Sequence, residues 1–226
     1  MTKITERPMI FNGEMVSAIL DAGKTQTRRP VKFPHIDRDA MCELSGNELA
    51  GELLAGNYRN SPHGKPGDRI WVRETWWQAG QSYARYPDDD EYGWYGSRRV
   101  LFAADGNPPN EPNDHYPNGL GGGKFSAAKP NHLWRKRPSI HMPRWASRII
   151  LLEITDVRVE RLQAITLGDI CKEIGCGLYD FHPATYGFQV WEELWESIYG
   201  EGSWQANPWV WVIEFKRIEG NSHATN

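Results

Sequence analysis

The sequence predicts a mixed α+β fold, namely a β-barrel with flanking helices and a long irregular insertion. Three separate strand patterns carry this prediction: RIWVRE at 69–74, IILLEITDVRVERL at 149–162 and WVWVIEFKRI at 209–218. Each is rich in β-branched or aromatic residues, and the first alternates polar with apolar side chains as a half-buried strand does. Two helical patterns lie between the second and third strands, at 167–174 and 185–199. Separate strands and packed helices in this order are typical of an α+β domain.

Length and composition limit the class of protein. A chain of 226 residues suits one large domain or two small ones. The apolar fraction is 39%, and 11 tryptophans supply a large buried area from few residues. The formal net charge of −3 gives no overall attraction to nucleic acid, so binding of that kind requires a local basic patch.

Cysteine use and hydropathy indicate a cytoplasmic protein. Cys42, Cys171 and Cys176 cannot all pair and none belongs to a CxxC motif, so we expect free thiols in a reducing compartment. The start of the chain, MTKITERPMIFNGEM, holds no apolar run of signal-peptide length. No apolar stretch approaches the ~20 residues of a membrane-spanning helix, so we expect no membrane partner.

The amino-terminal part predicts a helix, a strand and a second helix. Asn12 is a helix cap, and the helix that it begins ends near Gly23. The residues TQTRR at 25–29 then form an extended run that stops at Pro30. A helical patch follows at 48–54, ahead of the first clear strand pattern.

Residues 79–143 differ in composition from the rest of the chain. Gly, Pro, Asn and Asp dominate there, as in DDDE at 88–91 and GLGGG at 119–123. One strand-like run, at 99–103, interrupts them. We interpret the acidic run as a solvated loop. A structureless stretch of this length is unusual inside a compact domain, which favours an insertion loop that is functional or partly mobile.

The domain organisation follows from this change in composition. We expect a single domain at 1–218 with an irregular insertion at about 79–143 that contains one or two short strands and no core of its own. The last residues, 219–226, are expected to be a disordered tail.

The short helix at 167–174 has clear end signals and one unusual position. Thr166 begins a pattern that resembles a capping box, and Gly175 provides the stop. Glu173 lies at the edge of the apolar stripe of this helix. A carboxylate there is expected to be half-desolvated, which raises its pKa unless a cation lies beside it. The stripe consists of Leu167, Ile170, Cys171 and Ile174.

The longer helix at 185–199 carries an apolar stripe at helical spacing. Phe188, Trp191, Trp195 and Ile198 recur at i, i+3, i+7 and i+10. We therefore expect these side chains to be buried and structural.

Four motifs occur in a fixed order along the chain and support a resemblance to a known family. They are GKTQTRR at 23–29, GDRIWVRE at 67–74, the helix at 166–175 and VIEF at 212–215. Together with TQTRRP, WVRETW and RPSIHMPRWASR, they resemble the ASCH family of PUA-like barrels, in the form found in phage and prophage proteins. Lys24, Thr27 and Arg29 match the family pattern G-x-K-x-x-[E/T]-x-R, whereas Ala22 occupies the position of its glycine.

The resemblance implies a candidate activity. One branch of the ASCH family comprises small bacterial N4-acetylcytidine amidohydrolases, which use a lysine, a threonine three residues later and a glutamate on a later short helix. Lys24 and Thr27 match the first two, and Glu173 matches the third when the helix is aligned from Thr166. The resemblance thus implies Lys24, Thr27 and Glu173 as catalytic residues of an amidohydrolase or of a ribonuclease.

The residue types are consistent with acyl transfer, which needs a nucleophile, a base and an oxyanion stabiliser. A lysine of lowered pKa can activate a hydroxyl, and a glutamate can relay protons to a leaving amine. Lys24 is also the candidate cation beside Glu173. Strand alternation puts Thr27 and Arg29 on one face and Arg28 on the other, so we expect Thr27 and Arg29 to line the pocket. By composition alone, GKTQTRR is more typical of a solvated turn followed by a polar strand than of a functional site.

A basic run with interleaved tryptophans lies at 134–148. Basic groups beside aromatic rings suit phosphates and unstacked bases, so we expect RNA, single-stranded nucleic acid or a modified nucleoside as partner. In the alternative interpretation, the tryptophans belong to the core and the charges solvate their rim. The candidate ligand-binding residues are Arg28, Arg29, Arg73, Trp134, Arg135, Arg137, Arg144, Trp145 and Arg148.

Several other kinds of site are excluded or not expected. GKT lacks the first glycine of a phosphate-binding loop, because Ala18 stands there and a helix precedes the motif. His132 with His141, and Cys171 with Cys176, lack zinc-like spacing, so we expect no metal and no cofactor. The motifs GxSxG and HExxH do not occur.

Three classes of function remain open at this stage. The first is a nucleic-acid-binding or nucleobase-binding protein, and the second is a hydrolase of modified nucleosides or RNA that uses the same pocket. The third is a phage interaction factor whose insertion binds a host protein. The sequence does not determine the oligomeric state.

Overall fold

The computed structural model of the chain describes residues 4–84, 92–109, 111, 133–148 and 150–218. Packing divides the chain into two compact units. The first unit comprises the described residues of Met1–Pro8, Ser17–Trp71 and Ile149–Asn226. The second unit comprises those of Met9–Val16 and Val72–Arg148.

The helices and strands that were predicted outside residues 79–143 are all present, and the structure adds strands that were not predicted. The strands are β1 (Glu6–Ile10), β2 (Gln26–Pro30), β3 (His35–Ile36), β4 (Glu43–Leu44), β5 (Arg69–Arg73), β6 (Trp76–Ala84), β7 (Tyr92–Phe102), β8 (Trp134–Arg137), β9 (Leu151–Arg161) and β10 (Trp209–Ile218). The helices are α1 (Gly13–Leu20), α2 (Gly46–Leu54), α3 (Leu167–Ile174) and α4 (Ala184–Tyr199). Short 3-10 helices occur at Ala103–Asp105, Ser139–His141, Arg144–Ala146, Leu162–Ala164 and Leu178–Asp180.

The larger sheet has five strands in the order β1-β5-β9-β10-β2. The long strands β9 and β10 pair antiparallel, and β10 also pairs antiparallel with β2. A closed barrel would need the end strands β1 and β2 to be hydrogen-bonded neighbours, but they are the two edges, and no sheet closes within the described residues. The predicted mixed α+β class is therefore confirmed and the closed β-barrel is wrong for this part of the chain. The PUA-like arrangement stays a prediction.

The predicted irregular insertion contains a regular sheet. β6 pairs with β7 and with β8, both antiparallel, in the order β7-β6-β8. The prediction of one or two short strands is wrong here, because β6 and β7 have 9 and 11 residues. Glycine and other turn-forming residues suggested loops, yet aromatic residues such as Trp76, Trp77 and Trp94 favour strands. The residues 88–91, 119–123 and 219–226 lie outside the described part.

Three predicted helix ends are confirmed by their hydrogen bonds. The side-chain oxygen of Asn12 accepts from the Met15 amide at 2.8 Å at the start of α1. Thr166 and Asp169 form a reciprocal capping box at the start of α3. Gly175 ends α3 with a φ of 89°, in the left-handed region that favours glycine.

The core of the first unit lies where α3 and α4 cover one face of the larger sheet. Trp191 and Trp195 of α4 are 4% and 2% exposed, in a cluster with Ile170 of α3, so their predicted burial is confirmed. Phe188 and Ile198 are 37% and 42% exposed, so their predicted burial is wrong. In the described cluster, α4 contributes Trp191 and Trp195, with Val190, Leu194 and Tyr199 packed against them, and neither Phe188 nor Ile198 belongs to it.

Two further observations concern cysteines and helix length. Cys42, Cys171 and Cys176 are all free thiols in the structure. Among the described residues, no helix has the length and apolar character needed to cross a bilayer.

Candidate functional site

Alternate side chains of β2 lie on the sheet face beneath α3. Val212 of β10 packs in one apolar cluster with Ile170 of α3, which shows which face α3 covers. Arg28 pairs with Val212 and Gln26 pairs with Glu214. Because directly opposite residues share a face of the sheet, Gln26 and Arg28 lie under α3.

The centre of the site is a buried ion pair between Lys24 and Glu173. Their side chains are 1% and 2% exposed. Lys24 Nζ lies 3.1 Å from Glu173 Oε2, and it also donates to the backbone carbonyl oxygens of Glu173 at 2.6 Å and of Gln26 at 2.7 Å. An ammonium group has three N–H donors, so all three are used within the protein. The pair therefore joins the start of β2 to the end of α3.

Arg28 provides a second buried cation. Its Nη1 lies 3.2 Å from Glu173 Oε1, and its Nη2 lies 2.6 Å from Glu160 Oε1 and 3.6 Å from Asp169 Oδ2. With its amide nitrogen directed at the carboxylates, Gln26 donates to Asp169 Oδ1 at 3.1 Å, and its oxygen accepts from Arg28. One cation thus faces each carboxylate oxygen of Glu173.

Further charges surround this buried centre. Arg158, whose side chain is 32% exposed, lies 2.7 Å from Glu214, 3.0 Å from Asp156 and 3.3 Å from Glu160. Lys172 lies 3.4 Å from Glu214 at the surface. Because carboxylates outnumber cations, this assembly offers no excess positive charge to a phosphate. We call it the charge network, and its members are Lys24, Gln26, Arg28, Asp156, Arg158, Glu160, Asp169, Lys172, Glu173 and Glu214.

Two glycines allow β2 to begin against the end of α3. A Cβ atom on Gly23 would lie 2.6 Å from the Gly175 carbonyl oxygen, so the two backbones meet more closely than side chains permit. The Thr25 amide donates to the Lys172 carbonyl oxygen at 2.9 Å and completes this junction. Ala22 has a φ of 59°, in the left-handed region that favours glycine.

The environment of Lys24 changes its protonation equilibrium. Burial lowers the pKa of Lys24 below its ordinary value of 10.5, although the Glu173 carboxylate opposes that shift. The pair can exchange a proton across its 3.1 Å contact. A substrate atom would first have to displace one of the three bonds that Lys24 makes within the protein.

The sequence prediction for this site is only partly matched by the geometry. Lys24 and Glu173 meet as expected, and Glu173 is fully buried where we expected half-burial. We expected Thr27 and Arg29 to lie beside Glu173, but Arg28 contacts it. The physical reason is strand alternation, since Thr27 and Arg29 belong to the face of β2 that points away from α3.

Sequence reasoning missed most of the charge network. Arg158, Glu160, Asp169 and Glu214 were not among the candidates, yet they surround Arg28 and Gln26. A signal was present in β9, where Asp156, Arg158 and Glu160 alternate with valines and so place three charges on one face of a strand.

The basic run lies in the second unit, where cations pair with aromatic rings. Arg98, Arg135, Lys136 and Trp145 are exposed, the last by 47%. Within the described residues, these three cations contact rings and no carboxylate pairs with them. We call the six residues of these contacts the basic aromatic set. The contacts are Arg135 at 4.7 Å from the Trp94 ring centre, Lys136 at 5.8 Å from Trp77 and Arg98 at 5.9 Å from Trp145.

Trp134 and Arg148 are not available to nucleic acid as we expected. Trp134 is only 3% exposed, with the Arg99 guanidinium 5.0 Å from its ring centre, so it cannot stack on a base. Arg148 lies 2.6 Å from Glu74 and 2.9 Å from Asp105, so carboxylates already neutralise it. The physical reason is that the run begins in strand β8, which pairs with β6, and packs within the second unit.

The remaining candidate residues differ in their surroundings. Arg137 donates through Nε to the Gln78 side-chain oxygen at 3.2 Å and is partly buried. Arg73 donates to the Ile140 carbonyl oxygen. Arg144 is exposed in the short helix Arg144–Ala146.

The chain was compared with family models, curated proteins and solved structures. No family model, curated protein or solved structure matches this chain at a significant level. In the described part of the chain, no three side chains of His, Cys, Asp or Glu are grouped so that they could hold a metal ion.

Proposed function

We propose that this protein binds single-stranded nucleic acid, with RNA as the first choice, through the basic aromatic set of the second unit. The observation that carries the proposal is that Arg98, Arg135 and Lys136 are exposed and lie beside aromatic rings without a carboxylate partner among the described residues. Cations in this setting contact phosphates, and exposed rings stack on bases.

The contrast with the charge network supports this location. Lys24 and Arg28 are cations of the first predicted motif, but their side chains are 1% and 0% exposed and carboxylates neutralise them. A phosphate would have to break buried ion pairs to reach them, which is costly. Trp145, at 47% exposed and in edge contact with Trp76, is the ring of the set that is best placed to meet a base.

The resemblance to ASCH proteins of phage and prophage type adds the choice of RNA or a modified nucleoside to this proposal. The PUA-like arrangement of the five-stranded sheet is part of the same proposal. Free cysteines are consistent with a cytoplasmic location, where RNA is accessible.

A salt titration tests the proposed interface. We expect the double variant Arg98→Gln with Arg135→Gln to bind a short labelled RNA strand more weakly, whatever the sequence of the RNA. The affinity of this variant should also depend less steeply on salt concentration. The logarithmic slope should fall by about 0.7 for each phosphate that the variant no longer binds. Trp145→Ala should weaken binding by about 1–3 kcal/mol for a stacked base and leave the slope unchanged. Fluorescence anisotropy across a series of salt concentrations measures both effects.

The matched control removes two exposed cations from the first unit. Lys32→Gln with Lys216→Gln also removes two positive charges. Both side chains are exposed, that of Lys216 by 60%. If this control flattens the slope as much as the arginine pair does, binding is unspecific and the interface is wrong. Absence of any binding at low salt would refute the nucleic-acid proposal itself.

A second candidate is a hydrolase of N4-acetylcytidine, favoured by the 3.1 Å contact between Lys24 and Glu173. If the pair is catalytic, the wild-type protein should remove the characteristic absorbance of N4-acetylcytidine with time, and Glu173→Gln should abolish this change while circular dichroism shows the variant to be folded. Lys172→Gln is the control, because Lys172 is its exposed neighbour on α3. No turnover by the wild-type protein would remove this candidate.

A further inference from the structure

We propose that a pocket in the first unit binds the phosphate group of a nucleotide. The pocket has a volume of about 460 Å³, and among the described residues that line it four are cations and one, Asp68, is a carboxylate. The cations are Arg7, Arg38, Arg59 and Lys65. The pocket shares no lining residue with the charge network or with the basic aromatic set, and the proposal does not rest on either.

The one carboxylate of the pocket is already neutralised. Asp68 is 4% exposed, and its oxygens accept from the Thr5 amide at 3.0 Å, from Arg7 Nη1 at 2.9 Å and from the Lys65 amide at 3.3 Å. Burial by itself would raise the pKa of Asp68, but these hydrogen bonds outweigh it and hold the pKa below its usual range. The remaining lining therefore carries a positive charge, which excludes a metal cation as the ligand.

The other cations of the pocket are open to an anion. Arg38 and Lys65 are exposed, their backbone amides form the hydrogen bonds that hold them, and no carboxylate among the described residues pairs with their charged groups. Arg59 pairs with Asp39, but their side chains are 62% and 58% exposed. An exposed pair of this kind is worth little, so a phosphate can compete for the guanidinium.

Gly64 shapes the wall of the pocket. Its φ is 100°, and a Cβ atom there would lie 2.7 Å from both Arg7 Nη1 and Asp68 Oδ2. The loop can thus approach the Arg7–Asp68 pair only with glycine at this position. Gly64 thus packs against one side of the pair.

Size and lining select a nucleotide. A volume of about 460 Å³ exceeds that of a phosphate ion and lies within the range of about 300–1,000 Å³ that is usual for small-molecule sites. No aliphatic residue with a large side chain lines the pocket, which disfavours an apolar ligand. Tyr58 supplies its one aromatic ring, on which a base can stack. The phosphate can belong to a free nucleoside monophosphate or to the 5′ end of an RNA strand.

Calorimetry with a graded set of probes tests this inference. The probes are inorganic phosphate, ribose 5-phosphate, cytidine, the four nucleoside 5′-monophosphates, and one short RNA with either a 5′-phosphate or a 5′-hydroxyl. We expect at least one nucleoside monophosphate to bind more tightly than inorganic phosphate, ribose 5-phosphate and cytidine. Tighter binding of the 5′-phosphorylated RNA than of its hydroxyl form would identify the RNA end as a source, and binding of the free nucleotide alone would identify the mononucleotide. Both outcomes support the site.

Variants separate this pocket from the rest of the molecule. Arg38→Gln with Lys65→Gln should weaken nucleotide binding by about 10- to 100-fold, because each removes a charged hydrogen-bond donor. Both leave the contacts of Asp68 intact. Lys32→Gln is the exposed control in the same unit and should bind as the wild type does. Equal affinity for wild type and the double variant, no binding of any phosphate-bearing probe, or equal affinity for ribose 5-phosphate and the nucleotides would overturn the inference.

The result is distinguishable from that of the proposed function. If the Arg98 and Arg135 variant loses RNA binding but keeps its nucleotide affinity, the result supports the interface in the second unit and leaves the pocket unaffected. Loss of nucleotide affinity in the Arg38 and Lys65 variants with an unchanged salt slope for 5′-hydroxyl RNA concerns this pocket alone.

Discussion

Glu173→Ala is expected to lower the free energy of unfolding by about 3–5 kcal/mol. The change leaves Lys24 and Arg28 facing each other in a space from which water is excluded, because their side chains are 1% and 0% exposed. A buried charge without its partner costs far more than the pair contributes when it is complete. Domains are commonly stable by only about 5–15 kcal/mol, so the loss is a large fraction of the total. Urea unfolding followed by circular dichroism measures it.

The neighbouring residue on α3 supplies a matched control. Lys172 also forms an ion pair, with Glu214 at 3.4 Å, but its side chain is 46% exposed. Lys172→Ala should therefore cost less than about 1 kcal/mol. Glu173→Gln should fall between the two, since an amide oxygen still accepts hydrogen bonds but carries no charge. Equal losses for Glu173→Ala and Lys172→Ala would show that the buried centre of the charge network does not stabilise the fold.

Acid is expected to destabilise the first unit through His63. Burial, with smaller contributions from Arg29 and Arg7, lowers the pKa of His63 from 6.5 to about 4. Well above pH 6.5 the imidazole is neutral in both the folded and the unfolded state, so its contribution does not change with pH. Between pH 6.5 and 4 the unfolded state takes up the proton first, and the folded state loses stability as pH falls. At pH 4.5 the loss is about 2 kcal/mol relative to pH 7.

Replacement of the ring tests this assignment. His63 lies edge-on to Trp211 with ring centres 5.6 Å apart, so His63→Phe keeps an aromatic ring against the tryptophan. The variant should lose about 2 kcal/mol less stability than the wild type between pH 7 and pH 4.5, as measured by urea unfolding at both values. His141→Phe changes an exposed histidine and should keep the wild-type dependence. If the His63→Phe variant loses as much stability as the wild type between pH 7 and pH 4.5, other groups cause the loss.

Local patterns were sufficient for the helices and for the strands with the strongest sequence patterns. Thr166 and Gly175 mark the ends of α3, and the apolar run at 209–218 coincides with β10. These signals depend on backbone geometry and hydrogen bonds between residues close in sequence, so they can be read without the rest of the chain. The same reasoning failed for residues 79–143, because pairing between β6, β7 and β8 joins residues distant in sequence. The glycine-rich composition of this region therefore suggested a loop, although pairing with distant strands makes it a sheet.

For the site, the sequence by itself determined that Lys24 precedes a strand and that Glu173 borders the apolar stripe of a short helix. It also showed a cationic and aromatic run at 134–148. The contact between Lys24 and Glu173 was expected, but only the tertiary structure decided which other charges join them. Arg28 rather than Arg29 reaches Glu173, because the packing of α3 selects one face of β2.

The tertiary structure also decided which cations stay accessible to a ligand. Trp134 is buried and Arg148 is neutralised, although both belong to the same basic run as the exposed Arg135. The pocket around Arg7 and Lys65 has no signal in the sequence, since its residues come from separate loops and strands. Burial and pairing between distant segments determine whether a charge stabilises the fold or binds a partner, and a sequence records the charge without that environment.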